Sequence, residues 1–361
     1  MLKLFLKTDH ISLFSMVLLT ILGIFMIFSS SVGEGQKATF VNRQILYLIV
    51  AIGVFFSVSL INYKILLNNS HWLYLGTVVL LLVTIILGLE TRGSTRWIDL
   101  GIINLQASEI AKPVLVLFLT KFLVKNSPKI PKNILLSFLI MIVPTFMIFK
   151  QPDLGSAMVL FLIWVGLIYV AGLRFLHLFL LGTAGLILLP IGFSFLKTYQ
   201  KERLLTFLNP NADPLGSGYN VVQSIIAVGS GEFFGRGFGR GTQSHLNFLP
   251  EQKTDFIFAT TAEELGFVGI LLLLGLFTIL LFRIINIATV AEKKEGALLC
   301  YGAAFVVAIQ LFINAGMNMG LLPITGITLP FVSFGGSSLI SMAILLGLVN
   351  SVYLSRKKQL I

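Results

Sequence analysis

Charge is scarce in this 361-residue chain: 11% of residues are Asp, Glu, Lys or Arg, where a water-soluble domain carries about 25%. So little charge cannot cover a surface facing water. Cysteine is nearly absent. The one thiol, Cys300, excludes an intrachain disulfide. Four histidines, His10, His71, His177 and His245, lie scattered without the spacing of a metal site. The alternating segments of about 10 residues that build a membrane barrel are also missing. What fills the chain instead is hydrocarbon: 56% of residues are hydrophobic, in repeated runs near the 20 residues that cross a bilayer as a helix.

The sequence therefore predicts an all-α, polytopic membrane protein of about ten helices, a single domain over 1–361. The spans run approximately 11–29, 45–61, 72–89, 107–124, 134–148, 157–173, 175–196, 256–282, 298–319 and 331–354. The basic start and long first apolar run read as an uncleaved helix rather than a signal peptide. The net charge of +11 is no sign of nucleic-acid binding, because Lys and Arg collect in the cytoplasmic loops of membrane proteins. Here they gather on one parity: Lys3 and Lys7, then Lys121, Lys125, Lys129 and Lys132, then Lys293 and Lys294, then Arg356, Lys357 and Lys358. Both termini are thus expected in the cytoplasm. The stretches rich in Gly, Pro and mixed charge all fall on the outer side, including a long loop of about residues 197–255 between spans seven and eight. Loops of that length are usually functional, so chemistry is expected at the outer face.

Several charges stand where lipid should exclude them. Glu109 and Lys112, at i and i+3 on one helix face, read as a neutralising pair that could also line a cavity. Glu263 and Glu264 lie eight and nine residues beyond Asp255 and point elsewhere, so they read as structural acids. Asp255 sits at the mouth of span eight. Thr254 or Asp255 can cap the first turn, and an ionised carboxylate at a wet boundary can equally act as a general base; the residues alone leave both open. GSGEFFGRGFGRGTQ (229–243) has glycines that would let backbone N–H groups converge on an anion. Its Arg236 and Arg240 carry phosphate-matching forks, although the residues alone slightly favour a flexible surface loop with two solvated charges. Lys201 and Arg203 add cations near the membrane surface.

These segments resemble the SEDS family of bacterial cell-wall elongation, division and sporulation. The resemblance rests on GSTRWIDLG, QASEIAKP, QPDLGSA, the stretch from FLNPNADPLGSGYN to GRGTQ, FLPEQKTDFIFATTAEELGFVG and LLPITGITLPFVSFGGSS. GTQ followed by FLPE is nearer the elongation branch than the division branch. Ala107 stands where proline is usual, Glu232 replaces a common glycine, and Lys253 a common histidine. The resemblance implies a peptidoglycan glycosyltransferase that polymerises lipid II in the cytoplasmic membrane. A class B penicillin-binding protein would be its partner, among other elongation-complex proteins. It implies Asp255 as the essential base; Arg203, Arg236, Arg240 and Lys253, with a divalent cation such as magnesium or manganese, as candidates to face pyrophosphate; and Glu109 and Lys112 as cavity supports. A lipid-precursor flippase and a non-catalytic scaffold are the rival readings.

Overall fold

In the computed structural model the described residues are 8–31, 37–91, 94–99, 104–177, 179, 180, 182, 183, 185, 194, 198–210, 218–246 and 248–357. Helices dominate: α1 (His10–Ser30), α2 (Lys37–Leu60), α3 (Tyr63–Asn68), α4 (Ser70–Leu87), α5 (Ala107–Lys125), α6 (Pro131–Lys150), α7 (Leu154–Val170), α8 (Thr198–Leu208), α9 (Tyr219–Ser230), α10 (Thr242–His245), α11 (Ile257–Thr289), α12 (Lys294–Asn318) and α13 (Gly336–Lys357). Seven are long and apolar enough to cross a membrane. Nine of the ten expected spans appear as helices among the described residues. Most of the expected seventh, 175–196, lies outside them. The loop after α4 departs from an all-helical reading. It forms a small antiparallel sheet of β1 (Leu89–Thr91), β2 (Ser94–Asp99) and β3 (Asn104–Gln106), in that order. The long loop 197–255 holds α8, α9 and α10 rather than open coil.

α13, most of whose residues are buried, packs chiefly on α2, and α11 packs on α12 and α1. Lipid has no water to satisfy a freed backbone group, and three helix breaks each find a partner elsewhere. Pro113 inside α5 has no N–H to give Glu109, and the Ser341 hydroxyl donates to the Glu109 carbonyl at 2.7 Å. Pro144 inside α6 likewise leaves Ile140, whose carbonyl takes the Tyr74 hydroxyl at 2.8 Å. The third break is at Gly266 in α11, where the backbone leaves the helix at φ 65°.

A loop plugs that third break. Arg236 N–H donates to the Glu263 carbonyl at 2.9 Å and Gly237 N–H to the Glu264 carbonyl at 3.0 Å. In return Phe267 N–H donates to Glu232 at 3.0 Å and Val268 N–H to Phe233 at 3.2 Å. The approach requires glycine. A Cβ on Gly231 would overlap the Ala262 carbonyl, and one on Gly235, held at φ 80°, the Glu264 carbonyl.

At the opposite end of α11, Arg283 bridges to Asp9 at 2.6 Å, and the Asp9 carboxylate accepts the Ser12 N–H at the start of α1. That joint ties α1 to α11 near the end that the basic loops mark.

Candidate active site

Asp255 sits in the turn 250–256, which Glu251 organises by accepting the N–H groups of Thr254 and Phe256. The helix cap expected at Thr254 or Asp255 falls instead on Phe256, which has no side-chain acceptor. The first turn is completed from another helix. Asn318, fully buried on α12, accepts the Ala259 N–H on its Oδ1 at 3.2 Å and donates from Nδ2 to the Asp255 carbonyl at 3.0 Å. One turn earlier, buried Asn314 donates to the same carbonyl at 2.9 Å and to the Ile327 carbonyl at 2.7 Å. Two amides thus hold the backbone of Asp255 from behind, while its side chain remains partly exposed. Sequence reasoning missed both asparagines. Their signal was present: two amides at i and i+4 inside an apolar span, where polar side chains join helices.

The 321–335 segment closes over the other side. Gly326, at φ 72°, would place a Cβ 3.5 Å from the Asp255 Oδ2. Ser333 locks this segment to the turn, donating to the Thr254 carbonyl at 2.6 Å and accepting the Leu329 N–H at 2.8 Å. Phe334 N–H donates to the Lys253 carbonyl at 2.8 Å. Arg203, on α8, reaches the same segment, with Nη1 3.4 Å from the Ile324 carbonyl. Lys253 places its ammonium 4.3 Å over the Phe40 ring, and Phe40 meets Phe334 edge-on. Asp255, Arg203 and Lys253 are therefore brought together around one segment.

Glu109 and Lys112 form a buried bridge of 2.6 Å. The second carboxylate oxygen of Glu109 is buried without a hydrogen-bond partner. The pair connects to the 321–335 segment through α13: Ser341 holds Glu109, Ser338 meets Thr328 at 3.0 Å, and Ser337 donates to the Asn104 carbonyl of β3 at 2.6 Å.

Glu263 and Glu264 work on the long loop. The Glu263 carboxylate accepts the N–H groups of Gln243 and Ser244 at 2.8 and 3.1 Å. The Glu264 carboxylate accepts the Ser29 hydroxyl at 2.5 Å and the Gly239 N–H at 3.3 Å. This corrects one expectation from sequence. The N–H groups of the glycine loop do converge on anionic and carbonyl oxygens, but on those of α11 rather than on a ligand. The loop docks about 9–11 Å along α11 from its first residue, at about 1.5 Å per residue. The Arg236 Nε donates to the Ser230 carbonyl at 3.2 Å, and both loop arginines are exposed.

An apolar groove of about 660 Å³ runs between α11 and α12, from Phe258 past Gly266 to Leu281 on one wall and from Met319 to Ala308 on the other. Its upper end thus lies one turn from Asp255. Among the described residues no cluster of three His, Cys, Asp or Glu side chains could hold a metal.

A cell cycle protein family model, FtsW/RodA/SpoVE, matches residues 9–358. The chain belongs to that family. It is 36% identical over 357 residues to the peptidoglycan glycosyltransferase MrdB of Escherichia coli K12, covering 97% of this chain and 95% of that one. The fold matches a chain from a solved peptidoglycan synthase complex that coordinates polymerization and crosslinking (TM-score 0.82, 32% identity, 97% and 98% covered). It also matches the crystal structure of the Thermus thermophilus rod shape determining protein RodA (TM-score 0.72, 28% identity, 97% of each chain).

Proposed function

We propose that this family member is a peptidoglycan glycosyltransferase that joins lipid II units into β-1,4-linked glycan at the outer face of the cytoplasmic membrane, both termini lying inside. The observation that carries the mechanism is the carboxylate of Asp255, faced by Gly326 and carried on a backbone whose carbonyl Asn314 and Asn318 hold from behind. With glycine opposite, no side chain of residue 326 stands against that carboxylate. Asp255 takes the proton of the acceptor hydroxyl as its oxygen attacks the donor's anomeric carbon. The carbon–oxygen bond to pyrophosphate breaks in the same displacement, so configuration inverts and no covalent enzyme intermediate is needed. Charge grows on the departing pyrophosphate, and cations fixed nearby lower that barrier. Arg203 and Lys253 are best placed for this, through their contacts with the 321–335 segment and its neighbour Phe40. A magnesium or manganese ion carried by the phosphates would add to it. Glu109 and Lys112, tied to α13 through Ser341, support the site from behind.

The partner is a class B penicillin-binding protein, and the groove between α11 and α12 suits its membrane helix. Ala262, Gly266, Ala308 and Ala315 line it, and small residues let membrane helices approach closely. The deciding experiment is Asp255→Asn in purified protein. Polymerisation of lipid II should fall by roughly 10²–10⁴-fold, the usual worth of a general base, with the variant still folded. Undiminished polymerisation would sink the base assignment. Movement of labelled lipid II across a liposome bilayer, with no polymerisation by the wild type, would favour the flippase reading.

A further inference from the structure

The plugged break in α11 leaves a rigid finger, residues 231–240, whose side chains the catalytic reading does not require. Its backbone is committed to α11 and to Ser29, as described above, yet Phe233, Phe234 and Phe238 are exposed at 56%, 79% and 46%. Arg236, between them, and Arg240, just beyond, are exposed too. Three exposed phenylalanines in a span of six residues are costly in water, and a loop pinned this firmly cannot fold them away.

The finger's position identifies what covers them. On α1, Ile11, Phe14, Leu18, Ile21, Phe25 and Phe28 are all exposed at helical spacing. That stripe is about 26 Å long at 1.5 Å per residue, close to the hydrocarbon thickness of a bilayer. Phe238 stacks on Phe28, the last member of the stripe, with centroids 6.4 Å apart and planes 14° from parallel. On α11 an exposed face runs from Phe267 through Leu271 and Leu272 to Phe282. Phe233 meets Phe267, which stands where that face borders the groove between α11 and α12, at 5.6 Å. Both stripes begin near the Asp9–Arg283 joint and end beneath the finger. The finger therefore lies where hydrocarbon gives way to headgroups, at the membrane surface that also holds Asp255.

We propose that residues 231–240 are an interfacial anchor that binds anionic phospholipid headgroups. Phe234 and Phe238 enter the acyl boundary, and Arg236 and Arg240 pair with lipid phosphates. Aromatic rings and arginines are the residues that settle at this depth, and the planar guanidinium matches a phosphate in two-pronged fashion. The one acid of the finger, Glu232, lines the groove between α11 and α12. On this proposal the two arginines, candidates from sequence for the substrate's pyrophosphate, face membrane lipid instead. Because the inference rests on the membrane span and not on catalysis, its failure would leave the polymerase reading untouched.

The test uses the full chain in nanodiscs of phosphatidylglycerol and phosphatidylcholine. Phe234→Trp adds a reporter at an already exposed position, read as the difference from the parent chain because Trp72, Trp97 and Trp164 are common to both. Its fluorescence should be quenched by acyl chains brominated near the headgroup and spared by aqueous iodide. In native mass spectrometry, Arg236→Gln with Arg240→Gln should lower phosphatidylglycerol retention by roughly tenfold or more, taking each basic residue at its usual worth near an anionic surface. The double lysine variant should keep most of it. Iodide quenching without bromine quenching overturns the proposal. So does unchanged retention in the glutamine variant, or shielding of the reporter only when a partner protein is added.

Discussion

Removing the two asparagines behind Asp255 tests how the site is held. Asn318→Ala takes the acceptor from the Ala259 N–H, and Asn314→Ala takes a donor from the Ile327 carbonyl. Leaving one buried polar group unsatisfied costs about 1–3 kcal/mol, so each single variant should lose that much. The Asp255 carbonyl behaves differently, because it accepts from both amides. Either single variant leaves it one of these two donors, and the double variant removes both. The double should therefore cost about 1–3 kcal/mol more than the sum of the singles, again the worth of one orphaned group. Coupling of that size exceeds the average of about 0.6 kcal/mol between hydrogen-bonded residues of membrane helices. The assay is reversible SDS-driven unfolding in mixed micelles, read as a double-mutant cycle. If the single costs add to the double within about 0.5 kcal/mol, the limit for independent sites, the shared-carbonyl reasoning is wrong.

Two further outcomes follow from the packing. Lys112→Met leaves the Glu109 carboxylate buried without its cation and should destabilise by about 3–5 kcal/mol, whereas Glu109→Gln added to it should recover much of the loss; the same unfolding assay checks both. Gly231→Ala should release the finger from α11, because its new methyl would overlap the Ala262 carbonyl, and limited proteolysis should then cut within 231–241, where the parent resists.

Several features needed no structure to be read. A bilayer admits only backbone that satisfies itself, so long apolar runs had to become helices, and the basic residues marked one side of them. Motifs around Asp255, Glu109 and Lys112 carried the family. The joints between helices were not legible. Pro113 announces a freed carbonyl at Glu109, but nothing near it says that Ser341, 232 residues beyond Glu109, will supply the hydroxyl. Glu264 announces a buried acid, and its partner Ser29 stands 235 residues away. Asn314 and Asn318 gave a local signal of helix contact without naming Asp255 as its object. The glycine loop looked like a cradle for a ligand because sequence records that backbone N–H groups can converge and not what they converge upon.

Composition thus set the solvent this chain must live in, and solvent set its helices, because hydrocarbon tolerates few alternatives. Tertiary structure alone decided which distant residue completes each break, because a freed carbonyl or N–H is satisfied by whatever donor or acceptor packing brings within about 3 Å, and packing joins positions that the chain keeps far apart.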